Sequence, residues 1–306
     1  MSKPFRRLFV LVIPVLALAL AADRARSQDT PEKKYPFANP PLDVLDQLVK
    51  SGIGSTAPLP SADRKLLADF WTARSARKNL PPANDAAVTA HLIASGVEDP
   101  ARRAAYLKKF TALVADARKA VAGTKSDSEK ADKLLRFLHK QVMAKGYSAD
   151  QTTLSAVFDT GKYNCVSSAC IYYLVGTRLG LKLQPVLIPG TEYEAGHAAV
   201  DLLAGDRRIE IEPTNPDGYD FPEKLKRPGV VAIGPQPDRK KAYDADGFGL
   251  AGSIASNRGV AAGKGKTSRP ADAVRCGLIS LVLDPDDHSA AQNLLAALSN
   301  WGYSLD

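Results

Sequence analysis

Cysteine and histidine are both scarce: the 306-residue chain has three and four of them. No zinc-holding spacing links them, so zinc-stapled modules are excluded. Cys165, Cys170 and Cys276 make an odd count. Cys165 and Cys170 lie about 140° apart around a helix, so they cannot bridge each other within it. A Cys170–Cys276 disulfide that leaves Cys165 free stays open, as do three free thiols. The apolar run Leu8 to Ala22 is 15 residues long, short of the roughly 20 that a membrane span needs. A nucleic-acid motif is missing, as is any interleaving of aromatic and basic residues. The formal net charge of +8 falls to +5 once Lys3, Arg6 and Arg7 are removed with the N-terminal segment. That is mildly basic, as an ordinary solvated surface is. A hydrophobic content of 45% and a charged content of 24% place the chain among globular proteins.

What is present centres on Cys165. Asp159-Thr160-Gly161 marks a turn, and Cys165 to Leu179 then reads as a helix stopped by Gly180. A cysteine in the first helical turn faces unpaired amides and the positive end of the dipole, which favour thiolate over thiol. Three strands follow: Leu183 to Ile188, His197 to Leu203, and Arg208 to Glu212, with a turn at Ala204-Gly205-Asp206. Pairing Leu202 with Ile209 and Val200 with Ile211 gives one apolar face: Ala198, Val200, Leu202, Ile209 and Ile211. A one-residue slip would set Asp201 against Ile209. In the favoured register His197 and Glu212 share the opposite face as diagonal neighbours, roughly 7–8 Å apart at the backbone. Glu212 then holds the imidazole, and His197 pairs with Cys165: nucleophile, base and orienter. The competing reading of each residue alone is structural: a buried small cysteine, a loop-capping histidine, an exposed glutamate like Glu210. Their order and spacing together favour the catalytic reading.

Residues 1–27 read as a secretory signal, with Arg6-Arg7 before the apolar run and small residues at Ala19, Ala21 and Ala22. An uncleaved membrane anchor is the alternative. Residues 28–41 are a polar, proline-bearing tether. From 42 to 125 the chain is helical. Asp99-Pro100 starts a long helix there, with Tyr106, Leu107, Phe110, Leu113 and Val114 as its buried stripe. Ser126 and Glu129 make a capping box that opens the helix carrying Leu134, Leu135, Phe137, Leu138 and Val142. His139 on that helix reads as a surface residue. Residues 223–247 are an irregular connection.

The segment from about Lys130 to Tyr219 resembles the transglutaminase-like superfamily, with its papain-like cysteine proteinase core. Gly161-Lys162-Tyr163-Asn164-Cys165, Leu179-Gly180-Leu181, His197 opening a strand and Ile211-Glu212-Pro213-Thr214-Asn215-Pro216-Asp217-Gly218 carry the likeness. Two features depart from the family: an acid that is commonly Asp is Glu212, and Thr191 to Gly196 lengthen the approach to His197. The resemblance implies an α+β fold whose cysteine-bearing helix packs on an antiparallel sheet, with the core at 126–222. It also implies Cys165, His197 and Glu212 as catalytic residues. The Cys165 amide, with the Asn164 side chain, is the candidate oxyanion hole. Residues 248–306 read as a helical tail with a degenerate resemblance to tetratricopeptide repeats. The expected function is an exported cysteine enzyme acting on an amide by acyl transfer. It needs no cofactor or metal, and its substrate is a peptide or protein, cell-envelope peptides among them. An inactive binding or scaffold protein is the alternative.

Overall fold

Alternating apolar residues build the sheet. β1 (Leu183–Ile188), β2 (His197–Ala204), β3 (Arg207–Ile211) and the two-residue β4 (Tyr243–Asp244) are antiparallel, in the order β3-β2-β1-β4. The computed structural model describes residues 41–51, 58–75, 84–190, 196–221, 240, 242–264, 268–285 and 287–303. The expected signal, nearly all of the tether, residues 191–195 of the loop before His197 and most of the irregular connection lie outside them. Within the hairpin Leu202 faces Ile209 and Val200 faces Ile211, the register that keeps one face apolar. Ala198, Val200, Leu202 and Ile211 on that face are fully buried. On the other face Arg208 donates to the buried Asp201 at 2.8 Å and to Asp244 at 2.7 Å, joining the hairpin to β4.

The described helices are α1 (Pro41–Ser51), α2 (Ser61–Ser75), α3 (Asp85–Ala94), α4 (Pro100–Ala120), α5 (Asp127–Gln141), α6 (Leu154–Thr160), α7 (Cys165–Arg178), α8 (Gly247–Gly263), α9 (Pro270–Leu283) and α10 (His288–Tyr303). They and the sheet fall into two compact units. One holds the described residues of Pro81–Leu250, the other those of Met1–Leu80 and Ala251–Asp306. The helical stretch expected at 42–125 is therefore shared. α3 and α4 belong with the sheet, and α1 and α2 with the C-terminal helices. Among the described residues no helix is long and apolar enough to cross a membrane.

In the sheet-bearing unit α7 is the central element. Its residues from Cys165 to Gly176 are all buried, as befits a helix surrounded by protein. It lies on β1 and β2, and α4, α5 and α6 also pack on it. Gly176 admits Leu183: a Cβ there would meet Leu183 Cδ1 at 2.5 Å. Gly180, at φ 84°, takes the left-handed cap position that ends α7. At the start of α5 the Ser126 side chain caps the Glu129 amide, but Glu129 reaches the Lys125 amide rather than that of Ser126. This closes the turn one residue earlier than the reciprocal box would.

The second unit has its own core. Val44 and Leu45 of α1, Leu278 and Leu281 of α9, and Leu294, Leu298 and Trp301 of α10 are all buried in one cluster. Arg64 of α2 pairs with Asp46 at 2.6 Å and Asp43 at 2.9 Å on α1. Small residues let these helices approach: a Cβ on Gly277 would stand 3.0 Å from Leu294 Cβ.

Candidate active site

The sequence Asn164-Cys165-Val166-Ser167 starts a helix by its own side chains. Asn164 Oδ1 accepts from the Ser167 amide at 3.1 Å, and Ser167 Oγ accepts from the Asn164 amide at 3.0 Å. The reciprocal box puts Cys165 at the first helical position. It leaves the Cys165 amide outside the box, in the helix turn where backbone donors have no intrahelical partner. The same two side chains hold the preceding turn: Asn164 Nδ2 donates to Ala149 O at 3.1 Å and Ser167 Oγ to Gln151 O at 2.7 Å. The Asn164 side chain, expected to face a substrate oxygen, is thus engaged by the cap and by Ala149. The sequence signal for this was Ser167 itself, three residues on.

His197 opens β2, opposite Ile188 of β1. Glu212 follows directly on β3. The imidazole and the carboxylate meet: His197 Nε2 donates to Glu212 Oε2 at 2.6 Å. Their side chains are 17% and 7% exposed, so water weakens the pair little. Cys165 lies near enough to the same imidazole to help hold a proton on it. Burial opposes charge on His197, but the neighbouring Cys165 and the hydrogen-bonded carboxylate of Glu212 outweigh it, raising the imidazole to about 10. Of the three side chains named from the sequence, His197 and Glu212 meet directly, and the longer Glu in place of Asp reaches the ring.

A further layer was not legible in advance. Glu212 Oε1 accepts from the Thr214 amide at 3.1 Å and from Thr214 Oγ1 at 2.6 Å. The turn closes by Glu212 N donating to Gly218 O at 2.8 Å and Gly218 N to Asn215 O at 2.9 Å. No side chain fits at Gly218, since a Cβ would land on Glu212 O and stand 2.8 Å from Asn215 O. His139, read as a surface residue, is packed against this turn instead. Its Nε2 donates to Pro213 O at 3.0 Å. Tyr163, 4% exposed, donates its hydroxyl to Thr214 O at 3.1 Å. Beside it Tyr147, 49% exposed, meets Tyr163 edge-on with ring centroids 6.3 Å apart. Burial first, then the charges of Cys165 and Glu212, push the Tyr147 hydroxyl above its ordinary range.

Cys165, Cys170 and Cys276 are free thiols, so the disulfide left open by the sequence is not formed. Cys170 is sealed at 0% exposure. Burial first, then the charge of Cys165, pushes its thiol well above the ordinary range. Among the described residues no group of three or more His, Cys, Asp or Glu is arranged to hold a metal ion.

Residues 104–192 match the family model described as transglutaminase-like superfamily. The match begins in α4, earlier than the segment read from the sequence, and stops before His197 and Glu212. No curated protein and no solved structure matches the chain. The similarity to a transglutaminase-like superfamily domain thus spans residues 104–192, with Cys165 inside it.

Proposed function

We propose that the protein is a cysteine enzyme that breaks an amide bond by acyl transfer through Cys165, His197 and Glu212. One observation carries the reading: His197 joins Glu212 at 2.6 Å, with Cys165 near enough to act on the same imidazole. The family match, which includes Cys165, points the same way. In the first step the Cys165 thiolate forms a C–S bond to the amide carbonyl carbon. His197 gives its proton to the leaving nitrogen as the C–N bond breaks. The Cys165 amide, at the positive end of α7, donates to the oxyanion. In the second step water or an amine yields a proton to His197 and attacks the thioester carbon. The C–S bond breaks and the thiolate returns. Water makes the enzyme a peptidase or amidase; an amine makes it a transamidase. Glu212 keeps the imidazole oriented and offsets its charge throughout.

Export is part of the proposal, with envelope peptides as substrates on grounds of location. Sequencing the N-terminus of the mature protein tests it: a start beyond Ala22 supports cleavage, and an intact Met1 in the membrane fraction supports the anchor. The tetratricopeptide-like reading of 248–306 also stays a proposal, as a docking appendage.

The chemistry is tested by iodoacetamide labelling of the folded full chain at pH 7, with Cys165→Ala as the blank. Cys170 and Cys276, at 0% and 5% exposure, contribute little background. His197→Ala is expected to slow labelling about tenfold or more, because it removes the partner of the thiolate. Equal rates with and without His197, or an inert Cys165, would overturn the enzyme reading. That result would direct attention to what the protein binds.

A further inference from the structure

Glu212 is steadied by residues further along its own turn, and these must be held in turn. Thr214 supplies both bonds to Oε1. The carbonyls of Pro213 and Thr214 are each taken by a side chain from a distant part of the chain: His139 of α5 at 3.0 Å and Tyr163 at 3.1 Å. The two donors also touch each other. Their rings cross at 84° with centroids 5.3 Å apart, and the Tyr163 hydroxyl lies 3.4 Å from His139 Nδ1. A carbonyl only accepts, so the His139 proton sits on Nε2 and Nδ1 turns a lone pair to the tyrosine. Burial, against the Pro213 bond and the charge of Asp217, pushes His139 down to about 4. Burial and the charge of Glu212 push Tyr163 up to about 12. Near neutral pH both are therefore uncharged donors.

We propose that His139 and Tyr163 are positioning residues for the acid. By pinning two successive carbonyls they fix the turn that presents Glu212 to His197. The proposal deepens the acyl-transfer reading and rests on it. Arg136, one helical turn before His139, also reaches this turn, at 2.6 Å from Asp217. Both partners are half exposed or more, and water screens such a pair. The half-buried His139 and the buried Tyr163 are the stronger clamp, because the carbonyls they hold belong to the buried Pro213 and Thr214, where a lost donor is poorly replaced by water. Tyr163 also precedes Cys165 by two residues and joins Tyr147 through a parallel backbone bridge. One residue thus fixes the approach to the thiol and the seat of the acid.

The test is a titration of the histidine rings by NMR in the full chain, beside the labelling rate of Cys165. Tyr163→Phe, His139→Ala and His139→Gln are compared with the parent, and melting temperatures are recorded for each. Freeing the turn lets Glu212 swing from His197. Tyr163→Phe and His139→Ala are therefore expected to lower the His197 titration by about one unit or more and to slow labelling about tenfold. His139→Gln keeps an N–H for Pro213 O and is expected to restore most of both. A purely structural role would lower the melting temperature and leave the His197 titration of the folded protein where it was; that outcome overturns the proposal. Tyr163→Phe keeps the ring, so the proposal does not hinge on a variant that loses its packing. If labelling in the parent ignores His197, the acyl-transfer reading fails. The His197 titration in the variants still decides whether the clamp positions Glu212.

Discussion

Thr214 gives both its amide, at 3.1 Å, and its hydroxyl, at 2.6 Å, to a single oxygen of Glu212 two residues before it. The other oxygen is thereby reserved for His197. A hydrogen bond to a charged acceptor contributes about 1.5–3 kcal/mol. Thr214→Val keeps the shape and removes the hydroxyl. It is expected to cost roughly 1–3 kcal/mol in chemical denaturation and to slow Cys165 labelling. Parent-like values in both measurements would show the hydroxyl to be idle.

Stability should fall on both sides of neutrality. His197 is raised from 6.5 to about 10, so the folded state holds its proton more tightly than the unfolded chain does. That contribution is complete below about 6.5 and is lost as pH rises toward 10. His91 and His139 are lowered to about 4 by burial. Their contribution is present above about 6.5 and is lost as pH falls toward 4. Urea denaturation across pH 4–10 should show both limbs. His197→Gln should flatten the alkaline limb alone, and His139→Gln should weaken the acid one. An alkaline limb unchanged in His197→Gln would contradict the coupling of this imidazole to Cys165 and Glu212.

Asn164 separates capping from catalysis. Asn164→Ala removes the cap and is expected to cost about 1 kcal/mol. Asn164→Ser restores a capping oxygen without the amide. If Asn164 acts through the cap, serine recovers most of the stability and of the Cys165 labelling rate. A serine variant as stable as the parent that has lost turnover would instead return Asn164 to the oxyanion hole.

Gly218→Ala forces the turn open, because its Cβ would occupy the place of Glu212 O. A loss of about 2 kcal/mol or more is expected in thermal unfolding, together with slower labelling of Cys165. A parent-like melting curve would mean that the turn relaxes without cost.

Much of the sheet could be read beforehand because a side-chain period of two leaves few options. With Asp201 on one face and Ile209 on the other, one register keeps the apolar set together. Cys165 could be placed because Gly161 and Gly180, both with positive φ, bracket its helix. Other features carry no local signal. α6 has seven residues, too few for a helical stripe, and β4 has two, held by pairing with β1. His139 looks like any polar residue on a helix, since its partner lies 74 positions along the chain. The reciprocal cap of Asn164 and Ser167, three positions apart, is by contrast a local signal that the sequence displays.

The separation of the hairpin from the cysteine helix has a kinetic consequence. His197 and Glu212 are 15 positions apart, joined by a short antiparallel pair, and closing so small a loop is quick. The thiol enters from further back in the chain, on a helix that must first be enclosed on all sides. The acid–base pair should therefore assemble before the sulfur arrives. A half-folded chain then carries an ordinary thiol, spared from reacting with its neighbours. In refolding experiments Cys165 should gain its fast alkylation in the last phase, after the amides of β2 and β3 are already protected from exchange. Fast alkylation that appears before this protection would show the reverse order.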